Sequence, residues 1–247
     1  EDADYMLLLS SMEIMNFPEF IEAVAKIFNA AGVSWTISSE AFEATNSGVQ
    51  IGVSDLAAVL VQRIVDAAEK LRAKTVISPE CGHAYTALRW EGPNLIGRAY
   101  PFKVIHILEL LDELRVDGRL KTDSFEDERV TFHDPCYLGR HHGLFEAPRV
   151  ILRALPGATL VEMEEHHAES RCCGGGGGRM WFEPEEPGRA KMSERRILQA
   201  AEAGADILAT ACPWCLVQFE DAVKTSGLQE RIRIADVTEL AVEALST

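Results

Sequence analysis

The chain has 247 residues, 47% of them apolar and 7% aromatic, enough to bury a sizeable core as one large domain or two small ones. Lys and Arg number 24 against 39 Asp and Glu, a net charge of −15, a field that repels nucleic acid and anionic membrane surfaces and favours partners with basic docking faces. No apolar run approaches the roughly 18–20 residues of a membrane helix. The chain therefore reads as soluble and cytoplasmic, with attachment to the inner membrane face through a partner subunit left open. Glu1 is not an initiator methionine, so a removed upstream segment is expected.

Short β-rich runs alternate with helical ones. Residues 5–11 read as a strand, 17–31 as a helix and 33–39 as a strand. Residues 55–71 form an amphipathic helix with Leu56, Val59, Leu60, Ile64, Ala67 and Ala68 on one side. A strand over 75–78 follows, then a strand and helix within 104–114. The polar, charged stretch 116–128 reads as a linker. The order then restarts, with a strand at 129–133, a helix at 144–155, a strand at 159–163 and a helix at 186–203. A strand at 206–211, a helix at 213–223, a strand at 232–235 and a helix at 237–245 close the chain. Such alternation means parallel sheet covered by helices.

The two halves read as copies. Residues 75–81 lie over 209–215 with Cys81 on Cys215 and Ser78 on Cys212, and 104–110 lie over 234–240. Gly48 falls near Gly174, which sets Asn46 and Ser47 opposite Cys172 and Cys173. The expected fold is α/β: two pseudo-symmetric parallel-sheet repeats, 1–115 and 129–247, packed around a shared cleft.

The cysteines carry the chemistry. Six are present, and five of them, Cys136, Cys172, Cys173, Cys212 and Cys215, crowd the second half. Each group follows a predicted strand, and residues at the carboxyl ends of parallel strands converge on one crevice. Cys212 and Cys215 start a helix, whose N-terminus favours thiolate. Vicinal Cys172 and Cys173 are awkward as a disulfide but natural as two ligands to neighbouring metal atoms. The glycines of 174–178 let backbone N–H groups approach an anionic cluster. Structural zinc and a cubane cluster each take four protein ligands, so five co-located thiols favour an unusual iron–sulfur cluster over zinc with one thiol to spare.

Other residues carry paired readings. Cys81 is a vestigial packing thiol or one wall of a substrate pocket. His83 is a surface histidine or a proton donor to released thiolates. His133 and Asp134 fit a loop-holding role beside Cys136. Arg140, His141 and His142 form a basic spot. His166, His167 and Arg171 approach the vicinal pair. Trp181 and Trp214 flank the ligand segments, and 183–186 reads as a solvated acidic loop.

His133-Asp-Pro-Cys-Tyr-Leu-Gly-Arg140, Arg171-Cys-Cys-Gly-Gly175 and Ala211-Cys-Pro-Trp-Cys215 together resemble the cysteine-rich CCG-domain family. That family includes catalytic subunits of heterodisulfide reductases and iron–sulfur subunits of glycolate, lactate and glycerol-3-phosphate dehydrogenases. The degenerate first half, with Pro79-Glu-Cys-Gly-His-Ala84, is similar to the single-site members, the D-type heterodisulfide reductase subunit and its relative in the membrane complex of dissimilatory sulfite reduction. The resemblance implies that Cys136, Cys172, Cys173, Cys212 and Cys215 bind a non-cubane [4Fe–4S] cluster that cleaves or forms a disulfide or polysulfide. It also implies partner subunits: a ferredoxin-like electron donor, a membrane cytochrome or quinone-reactive subunit, and a small disulfide or protein persulfide as substrate. The chain has no C-x2-C-x2-C-x3-C-P run, so electrons must come from another segment or subunit. An electron relay between a flavoprotein dehydrogenase and quinone, and a structural zinc module, stand as alternatives.

Overall fold

The computed structural model describes residues 2–79, 82–176 and 191–246. The chain divides into two compact units, Glu1–Leu120 and Lys121–Thr247. The first holds β1 (Tyr5–Leu7), α1 (Ser11–Asn16), α2 (Pro18–Ala30), β2 (Trp35–Ile37), α3 (Thr45–Gln50), α4 (Ser54–Lys70), β3 (Thr75–Ser78), α5 (Gly82–Thr86), α6 (Gly92–Ile96), β4 (Lys103–His106) and α7 (Ile107–Val116). Its strands are parallel in the order β2-β1-β3-β4. Parallel neighbours require a crossover connection, which the intervening helices supply. All four residues of β3 are buried, as expected for a central strand covered on both faces.

The strand expected over 5–11 ends early. Ser10 donates its backbone N–H to the Glu13 carboxylate at 2.8 Å, and its hydroxyl donates to the same oxygen, which turns the chain into α1. The Ser-x-x-Glu spacing is a helix-start signal that the alternating apolar pattern masks. The inward face of α4 is also rotated from the expected one. Ala57, Val61, Ile64, Val65, Ala67 and Ala68 are buried, whereas Leu56 and Val59 are exposed. The cause is a close approach between α3 and α4: a Cβ on Gly48 would lie 2.7 Å from the Ala57 backbone, so small residues must meet there.

Glu13 gives this unit a pH signature. It is fully buried, and its second carboxylate oxygen has no partner among the described residues. Burial raises its pKa above 4.5, Ser10 opposes the rise and Glu43 adds to it. The folded state therefore holds this proton more tightly than the unfolded chain, so stability falls as pH climbs from 4.5 towards the raised value. Urea midpoints measured across that range should decline in the wild type, and Glu13→Gln should flatten the decline. An unchanged slope would contradict the assignment.

The second unit repeats the plan with β5 (Arg129–Phe132), α8 (Glu146–Arg153), β6 (Thr159–Leu160), α9 (Met192–Glu202), β7 (Ile207–Thr210), α10 (Pro213–Thr225), β8 (Arg233–Asp236) and α11 (Val237–Glu243). Its parallel order, β6-β5-β7-β8, is that of the first sheet. The expected α/β architecture of two like parallel sheets is thus present. The β4–α7 and β8–α11 junctions agree in detail: His106 with Glu109, and Asp236 with Glu239, each close a capping box.

The ladders correct one part of the overlay. Ser78 pairs with His106, and Thr210 pairs with Asp236. Ser78 is therefore level with Thr210 and not with Cys212. Counted along the sequence from the strand ends, His83 then falls opposite Cys215. The proline common to both halves draws a sequence overlay two residues out of register. Residues 121–128, expected as linker, belong to the second unit: Asp123 donates its backbone N–H to the Ala244 carbonyl at 3.0 Å, and the Thr122 hydroxyl donates to the Ala154 carbonyl at 3.1 Å.

Candidate metal centre

In the second sheet the strand order turns between β5 and β7, where a parallel α/β sheet opens a crevice at its carboxyl edge. Cys136 stands just past β5, at the head of a π-helical turn, Tyr137–His141. Cys212 follows β7 as the N-cap of α10, and Cys215 lies in that helix's first turn. Cys172 and Cys173 arrive on the loop beyond a 3-10 turn, His167–Glu169. Cys173, Cys212 and Cys215 are buried, Cys136 and Cys172 are half-buried, and none is in a disulfide.

The five thiols bear on one another's protonation as one contiguous set, Cys136 with Cys172, Cys172 with Cys173, Cys173 with Cys215 and Cys215 with Cys212. Their protonation is shared accordingly. Hydrogen bonds from Cys136 and Cys173 pull the Cys172 thiol far down, against its burial, with help from the Gly174 N–H at 3.3 Å. The bond to Cys172 pushes Cys173 up to about 12, and Cys136 also rises. Cys215 rises through its bonds to Cys173 and Cys212. The charge on Cys172 and on Cys212 raises the thiols beside them, so several thiolates at once need metal charge to offset their repulsion.

Gly174 adopts φ +91°, a left-handed conformation natural to glycine, and this aims its N–H at Cys172. Gly175 donates its N–H to Cys173. The glycine run does what its sequence suggests at Gly174 and Gly175; residues 177 and 178, Trp181 and the acidic stretch 183–186 lie outside the described residues. Trp214 is half-buried at the start of α10.

Two buried arginines support the site, and neither stands out in the sequence. Arg149 on α8 forks onto Asp134 at 2.7 and 2.9 Å and reaches Glu162 at 2.8 and 3.0 Å. Asp134 in turn accepts the His167 backbone N–H at 2.7 Å, and its carbonyl accepts the Ser170 hydroxyl at 3.3 Å. Asp134 therefore ties the loop bearing the vicinal cysteines to the end of β5, whereas the loop it is expected to hold from the sequence is that of Cys136. Arg140, which is exposed, ties the same loop through the carbonyls of Ala168 and Ser170. His141 stacks on Tyr137, Arg171 pairs with Glu165 and His167 with Glu146.

Arg196 on α9 is fully buried, and it donates to neutral groups: His133 Nδ1 at 3.3 Å, the Glu165 carbonyl at 2.9 Å and the Gln199 amide oxygen. Burial lowers its pKa to about 10, which leaves it a cation. The His133 ring packs edge-on against Phe219, and burial followed by the Arg196 charge holds its pKa well below the usual histidine range. A ring nitrogen of His133 and the sulfurs of Cys173 and Cys215 lie within 4.8 Å of one another. His133 Nε2 and Arg196 Nη2 are buried nitrogens without a partner among the described residues. One signal could expose Arg196 in the sequence: it occupies the buried stripe of α9 with Ser193, Ile197 and Ala200.

Residues 130–220 match the family described as the CCG cysteine-rich domain. The second unit carries a CCG cysteine-rich domain. The chain is 35% identical over 227 residues to the D-type subunit of the dihydromethanophenazine:CoB–CoM heterodisulfide reductase of Methanosarcina barkeri, covering 90% of this chain and 54% of that protein. It is 32% identical over 230 residues to the EtfAB:quinone oxidoreductase of Syntrophomonas wolfei, covering 91% of this chain and 32% of that protein. An uncharacterized iron-sulfur protein of Methanocaldococcus jannaschii is 30% identical over 207 residues, 84% of this chain and 39% of that protein. The chain spans about half the length of the heterodisulfide reductase subunits it matches, and less of the other two.

The donor set of the CCG domain fits the iron–sulfur cluster that its relatives support. Five sulfurs form one contiguous set, two glycine N–H groups point at them, and a buried cation with an orphaned donor stands beside them. A tetrahedral zinc would leave one thiol and these anion-seeking donors unused. His83 lies half-buried on α5 in the first unit, and Cys81 lies outside the described residues. No helix among the described residues is long and apolar enough to cross a membrane.

Proposed function

We propose that Cys136, Cys172, Cys173, Cys212 and Cys215 hold a non-cubane [4Fe–4S] cluster, and that the chain is the part of an oxidoreductase subunit where a disulfide or polysulfide bond is cleaved or formed. The observation that carries this reading is the contiguous set of five sulfurs, sealed on one side by buried Cys173, Cys212 and Cys215 and half-open on the other at Cys136 and Cys172. When bound, the cluster would supply single electrons and an iron able to bind sulfur. The chain's own residues do the rest. Gly174 and Gly175 steady the sulfurs by N–H donation, and Arg196 offsets negative charge from beneath. The half-open edge admits a sulfur compound while the buried edge keeps water out. Cleavage consumes two electrons and two protons and releases two thiols; His83 is our proposed proton donor and Cys81 our proposed substrate-facing thiol. Electrons would come from a ferredoxin-like donor, with a cytochrome or quinone-reactive subunit as membrane partner on the cytoplasmic face.

The similarity to an EtfAB:quinone oxidoreductase favours a second reading, an electron relay to quinone without S–S chemistry. Mixing the reduced whole complex anaerobically with a small disulfide separates the two. The first reading expects reoxidation with two thiols released per two electrons. Reoxidation by a quinone analogue, with none by any disulfide or polysulfide, would favour the relay.

A further inference from the structure

We propose that His133 is a hydrogen-bond donor to the bound iron–sulfur group and not one of its ligands, with Arg196 fixing its tautomer. This rests on the cluster reading above. A guanidinium has donors and no acceptor. Arg196 Nε–H meets His133 Nδ1 at 3.3 Å, so Nδ1 must present its lone pair. In a neutral imidazole the proton then sits on Nε2. That nitrogen is buried and has no partner among the described residues, a costly arrangement for a donor unless a bound group accepts it. The same ring lies, through one nitrogen, within 4.8 Å of the Cys173 and Cys215 sulfurs.

Ligation would undo this geometry. A metal on Nε2 would move the proton to Nδ1, where it would oppose the Arg196 N–H, donor against donor. A metal on Nδ1 would displace Arg196, whose Nη1 is anchored by the Glu165 carbonyl and the Gln199 amide. As a donor, His133 instead stabilises the more negative, reduced form of the bound group and raises its potential. It is a positioning residue and takes no part in bond making.

The test uses the whole protein purified anaerobically from cells fed 15N-histidine. Pulsed EPR of the reduced sample should show a weak 15N coupling and a proton coupling that disappears in D2O. Strong 15N coupling of the kind given by direct ligation would overturn the proposal, and so would the absence of any histidine coupling. His133→Phe should keep its iron, lose the exchangeable-proton coupling and show about a tenfold shift in its one-electron reduction equilibrium towards the oxidised form, about 59 mV. Arg196→Gln, whose amide oxygen can accept a proton from Nδ1, should weaken the same coupling. Unchanged couplings in both variants would refute the assignment. Should His133→Phe fail to fold, the labelled wild-type spectrum and Arg196→Gln still decide. Zinc without acid-labile sulfide in the wild type would sink the cluster reading itself, a result distinct from any change in coupling.

Discussion

Cys173→Ser is expected to lose most of the iron and acid-labile sulfide of the anaerobically purified protein, whereas Cys81→Ser should retain both. Cys173 is the middle member of the contiguous set, with Cys172 on one side and Cys215 on the other, and it is buried. A serine hydroxyl there is a harder donor with a far higher pKa, poorly matched to iron in a sulfide-rich site. The packing cost is small, because the exchange removes no carbon atoms. Metal loss with an unchanged circular dichroism spectrum would therefore report ligation and not misfolding. The family resemblance gives Cys81 no part in the five-cysteine set, so its hydroxyl replacement should leave metal content unchanged. Equal iron loss in the two variants would contradict this division of the thiols.

Arg149→Met should destabilise the second unit by about 3–5 kcal/mol, the usual cost of stranding one partner of a buried ion pair. Arg149 is fully buried and Asp134 nearly so, and they make two bonds to each other. Without the guanidinium, the Asp134 carboxylate is left with the His167 N–H as its support. Glu162, a quarter exposed, can turn to water, so the larger share of the penalty falls on Asp134. A thermal melt should register the loss, and the double variant Arg149→Met with Asp134→Asn should recover part of it, because the stranded carboxylate is then gone. Because Asp134 tethers the loop carrying Cys172 and Cys173, slower metal loading should accompany the lower melting temperature. Equal melting of Arg149→Met and wild type would show that the pair is not a structural support.

The alternation of strands and helices, the repeat and the convergence of cysteines are legible in the sequence because they depend on local pattern: β-rich runs for β3 and β7, and a thiol group after each strand end. The rotated face of α4 is not, because it follows from one glycine meeting Ala57, a contact between elements that periodicity does not encode. The register of the repeat is hidden because Pro79 and Pro213 look equivalent, whereas the ladders set Ser78 level with Thr210. Arg149 and Arg196 escape notice because charged residues in helices are ordinarily exposed, and only a partner from another element makes their burial tolerable. Asp134 lies next to the Cys136 motif, yet its pairing with Arg149 on α8 shows no signature in the intervening sequence.

The most direct measurement is quantification of iron, acid-labile sulfide and zinc in the unaltered protein, purified whole and without oxygen. Iron and sulfide in equal amounts, with no fewer than the about four of each that one [4Fe–4S] cluster needs, and zinc absent, are predicted. Zinc bound with no sulfide would contradict the account.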